Sequence, residues 1–286
     1  MKINPVWRKE LMLSMRSIRF PLTLSISIGV LSGLLILVFD GILSSVRYGG
    51  NLSGLVGLYF TVTLIEFILI GMISPTLTAS AICGERERGT LDILLSTKMS
   101  PLSIILGKLL ASLSKVVLLI IASTPVFAIT LSLGGVSIIN IIQMILLYIM
   151  TAIFCGSVGL FFSSVLKSTK SSTAASYGLL IFLAIGTLII TVLYYSIKSR
   201  AASMAGQMFE PNIPFWLYLN PGLGYGSVVY NQLGVGATSI INGLNQFKAI
   251  GNAWIYNIAV EIVLTILLLW GAAVKLNPLK KRRKKK

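Results

Sequence analysis

Residues 20–39 carry no charged side chain, and this apolar run is long enough to cross a membrane. The hydrocarbon core of a bilayer is about 30 Å thick, which roughly 20 residues of α-helix can span. Five more predominantly apolar runs follow, at 53–82, 103–133, 141–166, 173–197 and 254–274. Because 55% of the chain is hydrophobic, one soluble core is unable to bury so much apolar surface. The sequence therefore predicts an all-α integral membrane protein with six transmembrane helices, forming a single domain over residues 1–286.

The basic residues concentrate on one side of this predicted topology. Six spans place both termini on the same side, which then holds every Lys and Arg except Arg47, Lys198, Arg200 and Lys248. Cytoplasmic segments carry such a basic excess, so we expect a multi-pass protein of the plasma membrane with both termini in the cytoplasm. The basic tail at 275–286 is expected to bind anionic lipid. The net charge of +16 resides in such segments and not in a soluble basic domain, so no nucleic-acid partner is expected.

An N-terminal amphipathic helix is predicted over residues 4–19. Asn4 and Pro5 suit the N-cap and the first helical position. Four residues at helical spacing share an apolar face: Trp7, Leu11, Met15 and Ile18. Basic residues lie opposite, a pattern typical of a helix in the membrane interface with its basic side toward anionic headgroups. A loose basic arm is the alternative.

A densely charged segment lies between the second and third apolar runs. It begins with Glu85, Arg86, Glu87, Arg88, Gly89 and Thr90. Apolar residues then recur at i, i+3 and i+4, at Leu91, Leu94 and Leu95, which predicts a short helix with one apolar face. Ser100 and Pro101 suit the N-cap and first position of the next helix. The segment is therefore expected to be a short amphipathic helix held between two membrane helices.

The two apolar runs beside this segment are longer than a bilayer requires. We expect their ends to project beyond the membrane and to hold the charged segment where a soluble partner can reach it. Pro75 should kink the second helix, because proline removes one backbone hydrogen bond.

Two stretches are predicted to lie outside the spans. Residues 40–52 should form a short polar loop. Residues 198–253 form a long extracytoplasmic segment, partly at the membrane surface, where the aromatic residues Phe215, Trp216 and Tyr218 suit the headgroup level.

The residue content excludes many kinds of catalytic site. The chain has no His, which rules out His-based metal sites and His general bases, and no Gly-x-x-x-x-Gly-Lys-Ser/Thr loop for ATP. Two carboxylates, Glu66 and Glu261, fall inside predicted spans, where a charge is costly, so each should face the bundle interior or a partner subunit. Either a place on a translocation pathway or a structural hydrogen bond or salt bridge accounts for them.

Residues Glu85–Pro101, followed by Gly107-Lys108, resemble the signature of ABC-2 type permeases, the membrane subunits of a class of ABC transporters. The rest of the chain is similar to that family as well. It has an Asn-Pro start on a connecting helix, six spans, a long last outer segment with Asn220-Pro221-Gly222, and a cytoplasmic C-terminus. One departure is Thr97-Lys98, near which the family often has a proline-containing turn.

The resemblance implies that the charged segment carries a coupling helix that docks on a nucleotide-binding subunit. A helix pinned between two membrane helices is also suited to transmit rigid-body motion. On this hypothesis, Leu91, Leu94 and Leu95 fill an apolar groove of the ATPase, and residues 85–88 fix its orientation through ion pairs. An inert, solvated loop is the alternative.

The implied complex contains two permeases, identical or paralogous, and two ATPase subunits that bind ATP and Mg. This chain itself is expected to hold no cofactor or metal and to be no enzyme, and the complex to export a substrate. One rival hypothesis is a membrane anchor or gating subunit of an ATPase complex that moves no substrate. Another is an intramembrane enzyme that uses Glu66 and Glu261.

Overall fold

The computed structural model describes residues 5–15, 17–47, 54–96, 99–134, 137–206, 212–233 and 250–276. These residues are almost entirely helical and contain no strand. Their α-helices are α1 (Pro5–Met15), α2 (Arg19–Arg47), α3 (Gly54–Glu87), α4 (Leu91–Leu95), α5 (Pro101–Gly134), α6 (Ile138–Val165), α7 (Thr169–Ile181), α8 (Thr187–Met204), α9 (Pro221–Leu233) and α10 (Ala253–Leu276). A π-helical turn, Phe182–Gly186, joins α7 to α8, and short 3-10 helices occupy Phe215–Leu219 and Ile250–Asn252.

Six helical stretches of the described chain are long and apolar enough to cross a membrane. They are Phe20–Ser44, Gly57–Glu87, Pro101–Phe127, Ile138–Val165, Thr169–Met204 and Ala253–Leu276. The predicted fold class, an all-helical protein with six transmembrane helices, is thereby confirmed. The apolar runs from which these helices were predicted are uncharged for most of their length. A segment of this kind forms a helix in lipid, because a helix satisfies the hydrogen bonding of its own backbone groups.

The ends of two predicted elements differ from the structure. The polar loop predicted at 40–52 is wrong in its first part, because α2 continues to Arg47 and buries Ile42 in the core. The helix predicted to reach residue 19 ends at Met15, and Ile18 lies 82% exposed in the following turn. Asn4, Arg16, Thr97-Lys98 and residues 277–286 lie outside the described residues.

The centre of the bundle is the contact between α3 and α6, the most extensive pairing of two helices in the described chain. Gly159 of α6 makes the close approach possible. A Cβ atom at Gly159 would lie 3.1 Å from the carbonyl oxygen of Pro75 and 2.1 Å from Thr78 Oγ1. The helices therefore meet beside Pro75, which lies inside α3 as predicted.

The segment at 198–253 is more helical than the sequence suggested. Helix α8 extends to Met204, and α9 lies inside the bundle instead of along the membrane surface. Its Tyr225 hydroxyl bonds to the Phe60 carbonyl (3.1 Å) and stands 2.9 Å from Thr63 Oγ1, both on α3. Helix α9 also packs against α6 and α10, so it fills the space between three spans.

Candidate functional site: the corner between α3 and α4

A glycine turn ends α3 and sends the chain into α4. Gly89 has a positive φ of 70°, a conformation that residues with a Cβ rarely adopt. The Gly89 N–H donates to the Arg86 carbonyl at 3.1 Å, and the Thr90 N–H donates to the Glu85 carbonyl at 2.9 Å. This pair of bonds is the Schellman motif, which satisfies carbonyls that a helix end leaves free. The corner is therefore fixed by its own backbone.

The apolar face of α4 turns toward the protein's own bundle. Leu91 is only 8% exposed, and Leu94 and Leu95 pack with it against a cluster that includes Ile82 of α3 and Ile105 of α5. The spacing of the three leucines predicted this short helix correctly. However, the three leucines stabilise the corner from inside, so in this conformation they are not free to enter a groove on another protein.

A buried lysine forms ion pairs on the side of the corner that faces the helix bundle. Lys108 of α5 is 3% exposed, and its Nζ lies 2.8 Å from Glu85 Oε1 and 3.1 Å from Glu10 Oε1. Glu10 belongs to α1, which is also bonded to α5 through Trp7 Nε1 and Ser114 Oγ at 3.2 Å. A buried charge needs such partners because desolvation is costly. Helices α1, α3 and α5 are thus joined at one point.

Two further charged residues tie the corner to the ends of α6 and α7. The Arg86 guanidinium donates to the backbone oxygens of Leu166 and Ser164, the latter at 3.3 Å, where α6 ends. The Glu87 carboxylate accepts from the backbone N–H of Thr169 at 2.7 Å and from its hydroxyl at 2.8 Å, at the start of α7. A cation at a helix C-terminus and an anion at an N-terminus both match the helix dipole.

We call the five residues Glu10, Glu85, Arg86, Glu87 and Lys108 the charged junction. The sequence pattern identified Glu85, Arg86 and Glu87, which lie on α3, but it predicted that they contact a partner protein. Glu10 and Lys108 were not identified as site residues. The sequence features that could have identified them are that Glu10 is a single acidic residue among basic ones and that Lys108 is a charged residue within an apolar run.

A small exposed surface remains on the outer side of the corner. Arg88, Thr90, Asp92 and Ile93 are exposed, and Ile93 reaches 70% exposure. Among the residues predicted to contact a partner, Glu87, Arg88 and Thr90 have exposed side chains, and of these Glu87 is already bonded to Thr169. Ile93 was missed because it lies off the leucine face that the periodicity emphasised.

The two membrane carboxylates lie apart from this corner and in different surroundings. Glu66 of α3 is fully buried and accepts a hydrogen bond from Ser123 Oγ of α5 at 2.5 Å. Glu261 of α10 is 3% exposed. Glu66 Oε2 and Glu261 Oε1 have no hydrogen-bond partner within the described chain. Both side chains face the interior of the bundle.

The fold and the corner together define a class: a multi-pass helical membrane protein whose helix ends converge on a charged junction. No group of three Cys, Asp or Glu residues able to hold a metal ion occurs within the described ranges. Residues 5–274 match the family model described as ABC-2 family transporter protein. The chain therefore belongs to the ABC-2 transporter family, as the resemblance predicted, and is a membrane permease subunit of an ABC transporter. A search of curated proteins gives no match to the chain.

Proposed function

We propose that this permease works in an exporter and that the corner between α3 and α4 is where an ATP-binding subunit docks. Membership of the ABC-2 family implies such a partner in general terms. The observation that carries the proposal is the charged junction, in which Glu85, Arg86 and Glu87 each bond to different helices. A displacement of the corner would move the ends of α1, α3, α5, α6 and α7 together.

The docking surface in this proposal is the exposed side of the corner. Ile93 is the apolar anchor, with Arg88 and Asp92 as charged neighbours that set orientation. A mostly exposed isoleucine flanked by charges has the composition of an interface centre with a polar rim. Leu91, Leu94 and Leu95 hold the corner on the bundle and transmit its motion.

The proposal extends to the rest of the complex, and it is supported there by the family resemblance and by the charge distribution. Two ATP-binding subunits, which hold ATP and Mg, act on two permeases that are identical or paralogous. Closure of the ATPase dimer would tilt the corner as a rigid body and so rearrange the bundle. The basic excess on one side favours placing the corner and both termini in the cytoplasm, with anionic lipid at α1 and at the tail. A role for Glu66 and Glu261 on the translocation pathway stays a prediction.

The proposal is tested by co-purification of the tagged permease from native membranes in mild detergent. Ile93→Asp places a charge at the centre of the docking surface, and Ile18→Asp adds the same charge at another exposed isoleucine, away from the corner. We expect the wild type and Ile18→Asp to retain a protein that hydrolyses ATP, and Ile93→Asp to lose it at equal expression. Equal retention by both variants would show that the corner does not hold the ATPase.

A further inference from the structure

The fifth candidate span contains an irregular turn that is bound by one side chain from the segment following it. The π-helical turn Phe182–Gly186 lies between α7 and α8. Such a turn inserts one residue into a helix, disturbs the regular backbone bonding and is frequent at functional sites. Thr187 Oγ1 donates to the Leu183 carbonyl at 2.6 Å, and Asn220 Nδ2 donates to both the Ala184 carbonyl and Thr187 Oγ1 at 2.9 Å. One asparagine therefore binds the irregular turn.

Asn220 uses its remaining polar groups to bind α9 and α10. Its Oδ1 accepts from the Gly222 N–H at 2.8 Å, which shapes the start of α9. Its backbone oxygen accepts from Asn257 Nδ2 of α10 at 3.0 Å. The side chain of Asn220 is 2% exposed. A buried amide with all these bonds satisfied fixes the relative positions of the π turn, α9 and α10.

Helix α9 depends on such contacts for its position. Its thirteen residues are too few to cross a bilayer, and three of its first six are glycines, each of which disfavours a helix by about 1 kcal/mol relative to alanine. Val228 and Val229 of α9 are nevertheless completely buried. A helix with low intrinsic stability is thus held in the bundle by tertiary contacts, several of them polar.

We propose that Asn220 and the π turn form a latch that holds α9 in the bundle, and that α9 withdraws from between α3, α6 and α10 when the latch opens. Conversion of the π turn to regular α-helix would rotate the helix on one side of the turn by about 100°, the angle of one residue. The acceptors at Ala184 and Thr187 would then turn away from Asn220. The π turn with α9 inserted and the regular helix with α9 released are two alternative states of the same segment.

A matched pair of threonines makes the latch testable. Thr187 and Thr191 lie one turn apart on α8, and the hydroxyl of each donates to the carbonyl four residues earlier, at 2.6 and 2.7 Å. Each also accepts a bond from the segment before α9, Thr187 from Asn220 and Thr191 from Trp216 Nε1 at 3.1 Å. Valine at either position keeps the side-chain shape and removes the hydroxyl, but only Thr187→Val affects the π turn.

The experiment measures the accessibility of α9 in the permease reconstituted in lipid nanodiscs. Val228→Cys introduces a buried thiol on α9, and its rate of labelling by a maleimide reports withdrawal of that helix. The same variants without this cysteine give the background from the buried Cys83 and Cys155. Nanodiscs expose both membrane faces, so the result does not depend on topology.

The latch predicts that Thr187→Val raises the labelling rate about tenfold, as expected for the loss of one or two buried hydrogen bonds. Thr191→Val should leave the rate within about twofold of the parent. Both variants should have similar thermal unfolding midpoints, which separates release of α9 from general unfolding. The proposal is overturned if the two variants label equally, or if faster labelling of Thr187→Val only accompanies a lower midpoint than that of Thr191→Val.

Discussion

Replacing Lys108 by methionine removes the cation at the centre of the charged junction and leaves two carboxylates facing one another. Both carboxylates lie within 3.1 Å of Lys108 Nζ, whose own side chain is 2% exposed. Removing one partner of a buried ion pair typically lowers the free energy of unfolding by about 3–5 kcal/mol. The side chains of Glu10 and Glu85 are 37% and 25% exposed, so water screens part of the repulsion. We therefore expect the free energy of unfolding to fall by about 2–3 kcal/mol.

The same reasoning predicts a compensated variant. Lys108→Met combined with Glu10→Gln and Glu85→Gln leaves none of these three positions charged, so it should recover most of the lost stability, because neutral groups of similar shape replace the ion pairs of Lys108. Reversible unfolding by SDS in mixed micelles measures the free energies, with the exposed Lys167→Met as a control. The reasoning is refuted if Lys108→Met is as stable as the wild type, or if the triple variant is no more stable than the single one.

Three further predictions concern single positions. Gly159→Ala should lower stability by about 1–3 kcal/mol because its Cβ collides with α3, whereas Gly178→Ala, which meets nothing within 4 Å, should not; thermal unfolding distinguishes them. Gly89→Ala should lower the stability of the corner by about 1–2 kcal/mol, because alanine rarely adopts the positive φ of this position, and Gly89→Asn should lower it less, because asparagine tolerates that conformation better. The rate of proteolysis near the corner measures the difference between the two variants. Glu66→Gln should keep the acceptor for Ser123 and fold normally, while Glu66→Ala leaves a cavity and lowers the yield of monodisperse protein; equal yields would contradict this.

Features set by chain length and composition were predictable from the sequence. Six runs of about 20 or more mostly uncharged residues specify six helices, because a single segment of that length satisfies its own backbone groups in lipid by forming an α-helix. The charged segment at 85–90 and the short helix after it were predictable from the local sequence pattern. Gly89 occupies the position just after a helix C-cap, where a positive φ favours glycine.

The features that escaped prediction depend on contacts between distant residues. Periodicity shows that Leu91, Leu94 and Leu95 share a face, but not whether that face meets the same chain or a partner. The pairing of Glu10 with Lys108 joins residues that are 98 positions apart. Helix α9 is short and rich in glycine, and its insertion depends on bonds to three other helices. The π turn has no recognisable sequence pattern of its own.

The most direct test of the account is site-specific photocrosslinking at the corner in native membranes. A photoreactive amino acid at position 93 lies on the exposed side of α4, and one at position 94 lies on the face packed against the bundle. The account predicts that position 93 crosslinks to an ATP-binding subunit and that position 94 crosslinks within the permease. Crosslinking of the ATPase from position 94 but not from position 93 would contradict it, as would the lack of any crosslink from 93 while the ATPase co-purifies.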